Sequence, residues 1–124
     1  MSTNTGDAAE ERLYRLQRRL KAFAEERDWE QFHSPKNLSM ALMVEAAELV
    51  EHFQWLTQRQ SHALPEDKLR EVSHEMADIF IYLLRLCERL GVDLYAAVEE
   101  KIRINEEKYP AEKVRGSSRK YNEY

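Results

Sequence analysis

Glycine and proline interrupt this 124-residue chain at only six positions, three of each, so most of it is free to wind without a break. Helical periodicity fills the uninterrupted stretches, and no segment alternates as a strand would. Four helical segments follow. The first runs from about Ala8 to Arg27, with Leu13, Leu16, Leu20, Phe23 and Ala24 at helical spacing. The second begins after Ser34-Pro35, an N-cap followed by proline at the first helical position, and continues to about Leu56. It is apolar around most of its circumference, as a central bundle helix is. The third starts at Pro65 or Glu66 and ends at Leu90, with Gly91 as the residue beyond its C-terminus. The fourth has Asp93 as N-cap and stops before Pro110. Helices near 20 residues with short connections predict an all-α, four-helix-bundle subunit. Residues 1–110 are read as a single helical domain, and residues 111–124 as a basic C-terminal tail belonging to it. In that tail Lys113, Arg115, Arg119 and Lys120 outnumber Glu112 and Glu123.

Composition narrows the partners. The longest apolar run, Ile79 to Leu84, is far short of the ~20 residues of a membrane span, and the polar N-terminus does not read as a signal peptide. A single cysteine, Cys87, makes no internal disulfide and is compatible with a reducing cytoplasm, the expected location. A net charge of −4 gives no footprint for a nucleic-acid polymer.

Two acidic pairs, Glu45-Ala-Ala-Glu48 and Glu75-Met-Ala-Asp78, lie inside the apolar second and third helices. A spacing of three puts both carboxylates of a pair on one helical face, roughly 5–6 Å apart at Cβ. One such pair is ordinary surface charge. Two pairs, each flanked by Leu, Met, Val, Ile and Ala, are poorly solvated and repel one another. A divalent cation resolves that conflict, and hard oxygen ligands suit Mg²⁺ or Mn²⁺.

The motif Glu45-x-x-Glu48, 26 intervening residues, then Glu75-x-x-Asp78 resembles that of the MazG-like, all-α nucleoside triphosphate pyrophosphohydrolases. Further strings look like the dCTP pyrophosphatase branch of that family. They are Glu26 to His33, Pro35-x-Asn37-Leu38, Phe53-Gln54-Trp55, Asp78-Ile79-x-Ile81-Tyr82-Leu83, Val92-Asp93-Leu94, Lys101-x-x-x-Asn105-x-x-x-Tyr109-Pro110 and Ser117 to Tyr121. The resemblance as a whole spans roughly Leu16 to Tyr121, most of the chain. The resemblance implies Mg²⁺-dependent hydrolysis of a (deoxy)nucleoside triphosphate, dCTP or a modified dCTP, to monophosphate and pyrophosphate, a nucleotide-pool house-cleaning activity. It makes Glu45, Glu48, Glu75 and Asp78 both catalytic residues and metal ligands, with Mn²⁺ as a substitute ion. A substrate carrying about four negative charges cannot sit on bare carboxylates, so cations must bridge the two.

The same resemblance assigns the substrate contacts. Trp29, His33 and Trp55 cluster around the ends of the second helix and offer stacking faces, worth ~1–3 kcal/mol per base in nucleic-acid complexes. The structural alternative is core closure, which is the reading for Phe32. Tyr82, four residues after Asp78, shares its face, either against a deoxyribose or as a bonded core tyrosine. Lys101 and Asn105, four apart, read by spacing alone as a solvated pair; the resemblance makes them phosphate contacts, with Tyr109, Arg119 and Lys120 beyond them. His52, His62 and His74 carry no special signal.

Two other classes compete. Glu30-Gln-Phe-His33 and Glu71-Val-Ser-His74 have the Glu-x-x-His spacing of di-iron carboxylate bundles. The first sits beside Pro35, expected in a loop, and His74 is ~100° around the helix from Glu75. A non-enzymatic helical interaction module is the third class. Leu20, where relatives can carry a polar residue, and the short linker Thr57–Leu64 leave the preferred base open. Covering Met40, Met43, Val50, Leu83 and Leu86 requires another layer of helix. With the resemblance, that predicts a homotetramer built as a dimer of dimers, the tail folding over a neighbouring subunit or phosphate site.

Overall fold

The computed structural model describes residues 5–117 and is all-α, with no strand among those residues. Helices α1 (Thr5–Glu26), α2 (Pro35–Glu51), α3 (Gln58–Ser61), α4 (Glu66–Leu90), α5 (Leu94–Lys108) and α6 (Ala111–Val114) follow in order, with a 3-10 turn at Glu30–Phe32. The chain divides into two compact units, Met1–Gly91 and Val92–Tyr124.

The first unit is organised by α2 lying along α4, with α1 packed less extensively on α4. Its fully covered apolar side chains are Ala24 of α1, Leu38 of α2, and Val72, Leu84 and Cys87 of α4. Local chemistry sets the boundaries. Asp28 takes the left-handed conformation (φ 55°), which a short polar residue tolerates. Its N–H donates to the Glu25 carbonyl (3.1 Å) and that of Trp29 to Ala24 (2.9 Å), closing α1 in a Schellman arrangement. The Ser34 hydroxyl accepts from the Asn37 N–H at 3.1 Å, with Pro35 at the first helical position, as the sequence predicts. Gly91 closes α4 at φ 68°. In the second unit, Asp93 caps α5 by accepting from the Ala96 N–H at 3.0 Å.

Three expectations need correction. Helix α2 ends at Glu51 rather than near Leu56, because the chain folds back through turns in which Phe53 and Gln54 donate to the Val50 carbonyl. The cause lies downstream: Thr57 must be extended to cap α3, where its hydroxyl accepts from Gln60 N–H and the Gln60 side chain accepts from Thr57 N–H. That Thr-x-x-Gln capping box was readable in the supposed linker. The segment read as a tail opens with a short helix, α6, beyond the four helices expected. Phe32 does not close a core; it is 58% exposed.

Candidate metal and nucleotide site

Helix α2 brings Glu45 and Glu48 to the face that meets α4, and α4 brings Glu75 and Asp78. One carboxylate oxygen each from Glu45, Glu48 and Glu75 lie within 4.8 Å of one another, all three residues half-buried. Asp78 stands outside that convergent set, yet its charge acts on Glu45 and on Tyr82. Burial pushes the Glu45 carboxyl up from 4.5 to about 7, reinforced by its hydrogen bond with Glu48 and by the charges of Glu48, Asp78 and Glu75. The Tyr82 phenol is raised chiefly by burial, then by Glu45 and Asp78, so it belongs to the same environment.

Whether these residues suit a cation is answered by their oxygens. Glu45 Oε2 and Glu75 Oε2 are buried without a hydrogen-bond partner. Buried acceptors left unpaired are costly, and a hard divalent cation supplies what the protein does not. Three converging carboxylates, two of them with an unsatisfied oxygen, fit such an ion.

One contributor carried no sequence signal. The His52 side chain, only 16% exposed, places Nε2 3.7 Å from Glu75 Oε1 and Nδ1 3.9 Å from Glu71 Oε2. It sits just past the end of α2, where periodicity no longer assigns a direction.

The aromatic residues divide. Trp29 and His33 are neighbours, ring centroids 6.4 Å apart and inclined at 62°, and Phe23 meets Trp29 edge-on at 5.7 Å. Trp55 lies in the turn after α2 and is 86% exposed. The second unit carries Lys101 and Asn105, exposed along α5, and Tyr109 at that helix's C-terminal cap. Arg119 and Lys120 lie outside the described residues. Glu30 and His33, the first candidate di-iron pair, are held in the 3-10 turn by Arg85 and Arg89 of α4. Neither arginine stood out in the sequence, because the contacts bridge more than 50 residues.

The model of the MazG-like family matches residues 40–124, and the chain belongs to that family. Among individual proteins, it is 48% identical over 110 residues to human dCTP pyrophosphatase 1 and 46% identical over 109 residues to the mouse protein. Each match takes in 86% of this chain but 64% of the relative, so the chain spans just under two thirds of these relatives' length. It also superimposes on a pyrophosphatase from Archaeoglobus fulgidus with a TM-score of 0.76 at 38% identity, over 80% of this chain and 93% of that one. Among the described residues, no helix is long and apolar enough to cross a membrane.

Proposed function

We propose that this protein is a Mg²⁺-dependent nucleotide pyrophosphohydrolase that cleaves a deoxynucleoside triphosphate, dCTP or a base-modified dCTP, to the monophosphate and pyrophosphate. The observation that carries the reading is the convergence of Glu45, Glu48 and Glu75 with two buried, unpartnered oxygens. The names of the human and mouse relatives support the choice of substrate.

Glu45, Glu48 and Glu75 would hold the metal, with Asp78 completing the acidic face; Mn²⁺ can replace Mg²⁺ there. A divalent ion so bound supplies neutralisation of phosphate oxygens and acidifies water. Glu45 or Glu48, ionised beside the metal, would accept the proton of the attacking water. Attack falls on the α-phosphorus. Trp29, His33 and Trp55 receive the base, and Tyr82 lies against the sugar. Lys101, Asn105, Tyr109, Arg119 and Lys120 contact the phosphates. Met40, Met43 and Val50 stand exposed on α2, Met43 by 69%, which supports assembly as a homotetramer, a dimer of dimers. The enzyme works in the cytoplasm on the free nucleotide pool, in a house-cleaning role.

The di-iron alternative loses its first Glu-x-x-His motif to the arginines of α4, and no histidine joins the convergent ligand set among the described residues. A panel of deoxynucleoside and nucleoside triphosphates in ¹⁸O-water tests the proposal. Label in the monophosphate, with pyrophosphate released, is expected. Orthophosphate release, or label only in pyrophosphate, refutes α-attack.

A further inference from the structure

Helix α4 grips the Glu30–His33 turn with two arginines one helical turn apart. Glu30 places one carboxylate oxygen on Arg85 Nη2 and the other on Arg89 Nη1 at 2.9 Å. Arg89 also donates from Nε to the His33 carbonyl (2.9 Å) and from Nη2 to the Glu30 carbonyl (3.3 Å). Arg85 is 2% exposed, and its Nη1 donates to Glu88 at 2.9 Å. Its Nη2 also lies 3.3 Å from His33 Nδ1.

A buried ion pair is a poor way to gain stability, since well-packed apolar side chains of similar volume often serve as well or better. What an apolar residue could not do is dictate the state of His33. A guanidinium has donors and no acceptor, and it does not lose its proton. Opposite it, Nδ1 must carry a lone pair, so the ring is neutral and its proton resides on Nε2. Burial and the Arg85 charge both lower the His33 pKa, which keeps the ring in that neutral form. Nε2 has no partner among the described residues.

We propose that Arg85 is a positioning residue that locks His33 in the Nε2–H tautomer, so that this ring offers the nucleobase one fixed hydrogen-bond donor and favours a base edge presenting an acceptor there. A donor facing N3 separates cytosine, whose N3 accepts, from thymine or uracil, whose N3 carries a proton, whereas the O2 carbonyl is common to all three; the donor is therefore assigned to N3. The base-recognition half rests on the nucleotide reading above. The tautomer does not.

The test begins with ¹⁵N-labelled wild-type protein at about pH 7.5, using long-range ¹H–¹⁵N correlations of the histidine rings, with His33 assigned by its loss in His33→Gln. A protonated Nε2 and an unprotonated Nδ1 are expected. A proton on Nδ1, or on both nitrogens, overturns the proposal without any variant having to fold. Arg85→Met should give a tautomer mixture and raise KM for the preferred nucleotide about five- to tenfold, the worth of one hydrogen bond, with kcat little changed. Arg85→Lys, which restores a donor-only cation, should recover part of both effects. A fall in kcat at constant KM, or an unaltered preference for cytosine over uracil in Arg85→Met, refutes the recognition role. Wild-type protein that turns over no nucleotide refutes the functional reading and the base-recognition half together, while the ring spectrum still decides what Arg85 does to His33.

Discussion

Glu45 gives the sharpest test of the acidic cluster, because its folded-state pKa of about 7 lies well above the ordinary 4.5. Consider the metal-free protein. Between those two values the unfolded chain has lost the Glu45 proton while the folded chain retains it, so the folded state binds more protons. Stability is therefore greatest below about pH 4.5 with respect to this group, and it declines as pH rises toward 7. At ~1.4 kcal/mol per tenfold change in proton concentration, the ceiling is about 3 kcal/mol. Glu45 is half-buried and water screens its neighbours, which reduces the expected loss to about 1–2 kcal/mol, or roughly 4–10 °C in Tm for a domain of this size. Glu45→Gln removes the ionisation while keeping a donor toward Glu48. Chemical denaturation in a chelating buffer, from about pH 5 to pH 8, should show a declining wild-type stability and a flatter curve for the variant. At about pH 8 the variant should be the more stable of the two. Adding Mg²⁺ at ten times its Kd should then return about 1.4 kcal/mol to the wild type, and less to the variant. Parallel pH curves for the two proteins, or a wild type that Mg²⁺ does not stabilise, would refute the reasoning.

Three further outcomes follow from the same structure. Glu48→Ala and Asp78→Ala should each lower turnover by about a hundredfold or more while leaving the far-UV helical signal intact; near-normal turnover by Asp78→Ala at ordinary Mg²⁺ concentration would sink the proposed site. Gly91→Ala should cost about 1 kcal/mol in urea denaturation, because the left-handed φ of 68° is strained for alanine although its Cβ would meet nothing within 4 Å; an unchanged midpoint would refute the cap assignment. Light scattering should give about four times the 14.8 kDa chain mass, and a monomer mass independent of dilution would rule out the assembly.

The sequence by itself determined the four long helices and the pairing of the acids. Ser34-Pro35, Gly91 and Asp93 act within one turn of themselves, and the three-residue spacings at Glu45/Glu48 and Glu75/Asp78 fix a shared face through local geometry alone. Chain segments that meet only after folding carry no such local signature. Periodicity could not say that three of the four carboxylates converge while Asp78 stands aside, since that depends on how α2 and α4 are rotated against each other. Nor could it bring His52 beside Glu75, because the chain leaves the helix at that residue. The Glu30–Arg85 contact spans 55 residues, and in sequence Arg85 is simply one more cation on an amphipathic helix. Burial gives it a role, and burial is a property of the packed molecule: only when packing buries Arg85 of α4 and faces it to the Glu30–His33 turn must its charge be matched, and the state of His33 be set, by what lies opposite.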